Sequence, residues 1–443
     1  MQVATTTYLK FIPFEKLNLW DVKRYYTKRS LQFENAFTLR DILIPYKKAV
    51  SKEEMIKNKW QIIYKINFGG ELFLRDFEKI NTYKGNVNLV PGNAIIYSKI
   101  NVRHGCTYFH EEGQIPFGVS SEYPTFKFDD AKVSGKFLHK VLRSSAFKTL
   151  LNSKTTGISK ARVKQNEFLD IQIPLPSISK QNKLIANYYN KIAQIEILNK
   201  QIQDLEVEID NYFTKQLGIE KKEQIVTLKG LHFFEFKDFE RWDIWSSKEN
   251  SFTNKYKIIK FGDIVLGKPI YGANVKGVKR KSETRYIRIT DINENGTLNE
   301  EFVSPEFVEE KYLLKENDFL IARSGNTVGK TFLYKEKYGR AIYAGYLVNY
   351  HLDFKKVIPE YVLEYTKSYT FKRWILSNQR IAGQPNINGQ EYLQAPIIVP
   401  PIKEQKKIIE MVLTLKDKIF SISSTIDSIE SKAQQEFENA IFN

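Results

Sequence analysis

The chain has 443 residues, of which 42% are hydrophobic and 14% aromatic, and it contains one cysteine, Cys106. This composition is typical of a folded protein, and the length predicts two to four domains. A single cysteine excludes an intramolecular disulfide framework and a Cys-rich zinc site. The apolar runs are too short for a membrane span and the N-terminus lacks a signal sequence, so we expect a cytoplasmic bacterial protein.

The net charge is +17, and it is unevenly distributed along the sequence. Residues 180–217 carry no net charge and residues 402–443 carry −1, so the remainder carries +18. A concentrated positive charge indicates an anionic partner, which could be nucleic acid, an anionic membrane or an acidic protein. The alternative is a lysine-rich composition without a specific target.

In chain order, a mixed block of short strands and turns (1–170) precedes a helix predicted over 178–217. Apolar residues of this helix recur at alternating spacings of three and four, which is the heptad pattern of a helix that packs on another helix. The members of this seam are Ile195, Leu198, Ile202, Leu205 and Ile209. A second mixed block (225–394) precedes a second helix (402–441), with a seam at Val412, Ile419, Ile422, Ile426 and Ile429.

The second half repeats the first 224 residues further along. Glu167-Phe168-Leu169 recurs as Glu391-Tyr392-Leu393, and each copy is followed by a proline-containing strand end and a Gln-Lys helix. Because the helix seams share the same offset, the partner of each helix is expected to be the other helix.

The repeat predicts an α+β fold. We expect two mixed α/β domains in a pseudo-twofold repeat, separated by two long antiparallel coiled-coil-like helices. The predicted boundaries are 1–172 for the first domain, 173–222 for the first helix region, 223–396 for the second domain and 397–443 for the second helix region.

The segment 324–331 resembles a phosphate-binding loop but has only three residues between its glycines, where that motif requires four. A hairpin loop carrying Arg323, Ser324, Asn326 and Lys330 is the favoured interpretation, because a Gly-rich tip can approach DNA closely. His104, Cys106 and His110 form too weak a pattern to predict a metal. No catalytic residue or cofactor-binding loop is predicted.

Basic and amide side chains recur at matching places in both halves. Arg, Lys, Asn and Gln are the side chains that contact base edges and phosphates. The second-half candidates are Tyr271, Lys276, Lys279, Arg280, Lys281, Arg380, Gln384 and Asn386, in addition to the hairpin residues. The first-half candidates are Lys99, Asn101, Arg103, Lys154, Lys160 and Arg162.

The chain resembles the specificity (S) subunit of type I restriction–modification systems. The resemblance rests on Trp20-Asp21, Trp242-Asp243, the stretch 317–326 and the two Gln-Lys helices. It implies two target recognition domains that bind the halves of an asymmetric site on double-stranded DNA. It also implies a helical spacer that docks two modification subunits, which supply the methyl-transfer chemistry, and a restriction subunit. The chain itself is then non-catalytic.

Three alternatives remain open on the sequence. The chain could be an S-like subunit of a type II methyltransferase or endonuclease, a stand-alone DNA-modifying enzyme, or a scaffold that does not bind DNA.

Overall fold

The computed structural model describes residues 36–154, 162–219, 254–279, 282–379 and 385–442. The chain divides into two compact units: a first unit of Met1–Leu198 with Ser424–Asn443, and a second unit of Asn199–Ser423. Both divisions fall within the long helices. The Trp20-Asp21 and Trp242-Asp243 pairs lie outside the described residues.

The first unit is built on a four-stranded sheet in the order β2-β10-β7-β8, with smaller sheets β1-β11, β3-β6-β9 and β4-β5. Its strands are β1 (Ala36–Thr38), β2 (Leu43–Tyr46), β3 (Ala49–Val50), β4 (Ile63–Ile66), β5 (Leu72–Leu74), β6 (Val87–Val90), β7 (Ala94–Tyr97), β8 (Thr107–His110), β9 (Phe117–Val119), β10 (Thr125–Phe128) and β11 (Gln172–Pro174). Its helices are α1 (Lys52–Lys57), α2 (Gly135–Leu142), α3 (Ser145–Lys154) and α4 (Gln165–Leu169), followed by the start of α5 (Ile178–Leu217).

The second unit has a four-stranded sheet of matching order, β13-β20-β17-β18, with pairs β12-β21, β14-β16 and β15-β19. Its strands are β12 (Ile258–Lys260), β13 (Val265–Tyr271), β14 (Gly277–Lys279), β15 (Arg285–Ile287), β16 (Val303–Pro305), β17 (Phe319–Ala322), β18 (Thr331–Leu333), β19 (Ala341–Tyr343), β20 (Leu347–Leu352) and β21 (Pro396–Ile398). Its helices are α6 (Pro359–Tyr365), α7 (Tyr369–Asn378) and α8 (Gly389–Tyr392), followed by the start of α9 (Ile402–Phe442).

The repeat seen in the sequence is a repeat of hydrogen bonds. The Gln181 amide nitrogen donates to the carbonyls of Lys132 and Pro176, and its oxygen accepts from the Ser134 amide, at 2.8–2.9 Å. Gln405 makes the same three bonds, at 2.8–3.0 Å, to residues each 224 positions further along. Both side chains are fully buried. Each glutamine therefore joins the first turn of a long helix to the chain segment that precedes α2 or α6.

The motif Glu-aromatic-Leu forms the short helices α4 and α8. Glu167 accepts from the backbone amide of Lys164, and Glu391 accepts from that of Asn388, at 2.9 and 2.8 Å. These bonds satisfy an amide at each helix start that has no partner within the helix. The aromatic residues Phe168 and Tyr392 are completely buried, so each short helix is fixed to its core.

In the first unit, the end of α9 packs antiparallel to the start of α5. The Phe437 ring lies 6.0 Å from the Tyr188 ring, and Lys191 forms an ion pair with Glu436. Ile185 and Ile441 belong to the same buried cluster, so the partner residue number falls as the α5 number rises. The first unit thus takes part of its core from the distant segment 424–443.

In the second unit, the end of α5 and the start of α9 share one core. Phe213 and Leu217 of α5 lie in one buried cluster with Ile408 and Val412 of α9. The predicted architecture of two mixed domains joined by long helices is confirmed, because each unit contains one sheet-rich domain and segments of both helices.

An ion cluster joins α9 to α6 in the second unit. The Glu364 carboxylate is 2.9 Å from the Lys367 ammonium and 2.5 Å from that of Lys416, with a side chain only 10% exposed. Burial opposes the ionisation of Glu364, but the two ammonium groups outweigh it and hold the pKa of the carboxyl below its ordinary value.

Candidate nucleic-acid interface

The hairpin β17–β18 contains the loop that was predicted from the sequence to contact DNA. Phe319 pairs with Leu333 and Ile321 with Thr331, which confirms a strand after the loop where a phosphate-binding loop would have a helix. The tip of the hairpin is hydrogen-bonded to the segment before α8. The Gly325 amide donates to the Pro385 carbonyl, and Ser324 forms an isolated antiparallel β-bridge with Asn386. The structure therefore brings Arg323, Ser324 and Asn386 together.

Arg323 lies half-buried at the end of β17, next to two tyrosine rings. Its guanidinium carbon is 5.1 Å from the centre of the Tyr271 ring and 5.9 Å from that of the Tyr346 ring. The Nε–H donates to the Gly345 carbonyl at 3.3 Å. Cation–π contacts of this kind stabilise a cation by about 0.5–1 kcal/mol at exposed sites.

The other candidate residues of the hairpin differ from Arg323 in how far their side chains are free to contact a ligand. The Lys330 ammonium is 2.9 Å from the Glu294 carboxylate and its side chain is 21% exposed, so its charge is matched within the protein. Ser324 is buried and its hydroxyl has no partner among the described residues, whereas Asn326 is exposed. Asn386 is half-buried.

The candidate Tyr271 lies on a strand rather than in a loop. Strand β13 continues to Tyr271, because an irregularity between Leu266 and Ile270 lets its pairing with β20 resume. Gly267 within it has φ +75°, a conformation that favours glycine. Lys276 and Lys279 are exposed beyond this strand. Four further candidates lie outside the described residues: Arg280, Lys281, Arg380 and Gln384.

Equivalent backbone bonds surround Lys99 in the first unit. Arg323 donates to the Tyr346 carbonyl and accepts from the Ile387 amide. Lys99 donates to the Glu122 carbonyl and accepts from the Val163 amide, each 224 positions earlier. The first unit therefore has lysine in place of arginine, and a carboxylate where the second has a tyrosine ring.

The other first-half candidates surround this loop less closely. Asn101 and Arg103 are half-buried in the turn after β7, and exposed Arg162 forms an ion pair with Glu122 at 3.3 Å. Lys154 ends α3 without a described side chain, and Lys160 lies outside the described residues.

Two surface features escaped the sequence analysis. Tyr346, 56% exposed, follows Gly345 directly, and only the sheet register places it beside Arg323. In the first unit, the hairpin β4–β5 exposes Tyr64 and Phe73 around the Lys65 ammonium, at 5.8 and 5.2 Å. The interleaving of aromatic and basic residues over 64–75 was the available signal.

The seam residues of the long helices are more buried than their neighbours. Val412 is fully buried, and the nine other predicted positions are half-buried: Ile195, Leu198, Ile202, Leu205, Ile209, Ile419, Ile422, Ile426 and Ile429. Away from the seam, several large apolar side chains are exposed: Ile197 at 61%, Val207 at 59%, Leu413 at 47% and Phe420 at 73%. Among the described helices, none is sufficiently long and apolar to cross a bilayer.

Comparison with known proteins agrees with this architecture. The model of the type I restriction modification DNA specificity domain matches residues 244–431. The chain is 21% identical over 307 residues to the type I restriction enzyme StySPI specificity subunit of Salmonella potsdam, covering 67% of this chain and 60% of that relative. It thus spans less than two thirds of the relative's length.

A solved structure shows the same fold. A chain from a study of complex assembly and conformational transition of the type I R-M system superposes with a TM-score of 0.56 at 12% identity, covering 92% of this chain and 97% of that one. The type I S subunit from M. genitalium gives a TM-score of 0.43 at 13% identity, covering 94% and 99%. Residues 244–431 thus match a type I restriction modification DNA specificity domain, and the chain is similar over 307 residues to a type I specificity subunit.

Proposed function

We propose that this chain is the DNA-recognition subunit of a type I restriction–modification complex. It binds a bipartite, asymmetric site on double-stranded DNA, and each domain recognises one half. The candidate contact residues are those at the hairpin tips and the neighbouring basic segments. Two half-sites separated by bases without contacts follow from two recognition domains attached to helices of fixed length.

One observation carries the proposal: equivalent backbone frames present different side chains. The hydrogen bonds around Lys99 recur around Arg323, yet a carboxylate at Glu122 corresponds to the ring of Tyr346. A common frame supports a common way of approaching DNA. Different donors and acceptors on that frame support recognition of different bases in each half.

The long helices are the proposed docking surface for two modification subunits, and the restriction subunit joins the assembly. Exposed Ile197 and Val207 on α5, and Leu413 and Phe420 on α9, provide apolar area that a partner can cover. In this proposal the chain contributes no methyl-transfer chemistry, which belongs to the modification subunits.

Co-expression with a modification subunit, followed by mapping of methylated bases in the host DNA, tests the proposal. We expect one bipartite motif. Replacing residues 225–394 by the corresponding domain of another specificity subunit should change one half of the motif and leave the other half unchanged. Binding should weaken steeply with salt, because each neutralised phosphate releases counterions.

Methylation without any sequence preference would contradict the proposal. Radiolabelled methyl transfer by the purified chain alone should stay at background, and activity there would instead support a stand-alone enzyme. A chain that binds modification subunits but not DNA would be a scaffold.

A further inference from the structure

We infer that Arg323 recognises a guanine in the half-site bound by the second domain, through O6 and N7 of that base, with Tyr271 and Tyr346 as positioning residues. The inference rests on the proposed function. It goes further because it specifies a base, and the side chain that selects it.

The Arg323 guanidinium is held in one orientation before any DNA arrives. Its Nε–H donates to the Gly345 carbonyl at 3.3 Å, and the rings of Tyr271 and Tyr346 lie 5.1 and 5.9 Å from its central carbon. A flexible arginine loses rotamer entropy when it binds, whereas a held one has already lost it.

The elements around Arg323 are fixed as well. The Tyr271 hydroxyl accepts a hydrogen bond from the Gly389 amide at 3.0 Å, which fixes the position of that ring. A β-carbon on Gly389 would lie only 3.1 Å from the same hydroxyl, so glycine lets the two approach. The Arg323 amide and carbonyl are bonded to Tyr346 and Ile387, at 2.9 and 3.0 Å.

The terminal nitrogens of Arg323 remain available. Within the part of the chain that the structure describes, they have neither a hydrogen-bond acceptor nor a carboxylate partner. They present two parallel donors, which require two adjacent acceptors. In the major groove only guanine offers these, because adenine and cytosine present an amino donor, and thymine presents a methyl group beside its single acceptor.

A base fits this location better than a phosphate. Lys330, whose carbonyl accepts from the amide of Ala322 next to Arg323, has its ammonium 2.9 Å from the Glu294 carboxylate. The Glu294 carboxylate neutralises the Lys330 ammonium, so Lys330 brings no unpaired cation to a phosphate at this location. A single guanidinium with paired donors then suits the two adjacent acceptors of a base edge.

The inference does not extend to the first domain. Lys99 occupies the equivalent place, but an ammonium is a point charge without the paired donors of a guanidinium. The residue equivalent to Tyr346 is Glu122, which is paired with Arg162.

The test uses the complete chain with its modification subunit. Methylated positions would be mapped for the wild type and for Arg323→Lys. We expect discrimination at one guanine of the second-domain half to fall roughly 10- to 100-fold in the variant, with every other position unchanged. Tyr346→Ala should partly reduce discrimination at the same guanine. Tyr346→Phe should behave as wild type because it keeps the ring.

Exposed Lys268 on β13 provides a matched control. Lys268→Gln should lower methylation equally at all sites without altering the motif. A uniform loss in Arg323→Lys, with the motif intact, would assign Arg323 to a phosphate and overturn the inference. A second-domain half without any G·C pair would also overturn it while leaving the proposed function standing. A wild type without any motif would refute the proposed function itself.

A substrate-side measurement keeps the inference testable if the variant fails to assemble. Duplexes carrying the mapped motif would have each guanine of the second-domain half replaced in turn by 7-deazaguanine, which lacks N7. Wild-type affinity should fall at one position only. Unchanged affinity at every position would overturn the inference.

Discussion

Replacing Gln405 by methionine should detach the start of α9 from the second domain. Methionine has a similar length and shape but neither the donors nor the acceptor of the amide. The change leaves the carbonyls of Lys356 and Pro400 and the amide of Ile358 without the bonds they make at 2.8–3.0 Å. Since the Gln405 side chain is fully buried, each lost partner is felt in the folded state.

An unsatisfied buried polar group costs about 1–3 kcal/mol. Lys356 is exposed and Ile358 half-buried, so water can reach part of this cluster. Each unsatisfied group is therefore expected to cost about 1 kcal/mol. Three groups then amount to about 3 kcal/mol, or roughly 150-fold in an opening equilibrium. Gln405→Glu should cost more, because a carboxylate would face two carbonyl oxygens without a proton to donate.

Residue-resolved hydrogen exchange is the appropriate assay, because one free energy of unfolding is not well defined for a chain of two units. The Ile358 amide should exchange much faster in Gln405→Met, while the Ser134 amide keeps its protection. Gln181→Met is the matched control and should show the reverse. Unchanged exchange at Ile358, or equal acceleration at both amides, would refute the reasoning.

Further predictions concern the helix contacts and the interface. The folded pKa of Glu364 is lowered, so its contribution to stability is present above the ordinary value of 4.5 and is lost as pH falls through the lower folded value. When the pH is lowered, amide protection at the α6–α9 contact should therefore fall in a step in the wild type but not in Glu364→Gln. Identical dependence of the protection on pH in both proteins would contradict this. In Gly272→Ala a β-carbon would meet the Ala344 carbonyl oxygen at 2.4 Å, so strand β13 must shift, with a loss of about 1–3 kcal/mol and weaker DNA binding. Gly345→Ala, whose nearest contact is 3.5 Å, is the control for both measurements. Phe437→Ala should cost about 3–5 kcal/mol in the first unit and leave amide protection in the second unchanged; a loss in both would argue against separate cores.

The parts of the fold that follow local rules could be predicted from the sequence. Heptad spacing gave both helices and the side of each that is buried, because this periodicity depends only on helix geometry. The repeat of Gln181 as Gln405 indicated a shared frame. The loop around Arg323 was predicted as a hairpin, since glycine spacing excluded a phosphate-binding loop and an apolar triplet followed.

The parts that depend on register and tertiary contacts could not be predicted. Tyr346 is an ordinary exposed tyrosine in the sequence, and only the pairing of β17 with β20 brings it to Arg323. Lys330 looked like a free cation, but Glu294 comes from a distant turn to pair with it. The extension of β13 to Tyr271 depends on a bulge, which period-two alternation does not reveal.

The sharing of helix segments between units has a consequence for the order in which the protein forms during translation. The core of the first unit includes Phe437 and Ile441, which the ribosome adds only after the whole of the second unit, Asn199–Ser423, has been made. The first domain therefore emerges before the second but lacks its last helix segment until the end of α9 has been made. During that interval the apolar side chains around Ile185 and Tyr188 lack their partner. A chaperone would have the most apolar surface to cover during this interval of synthesis.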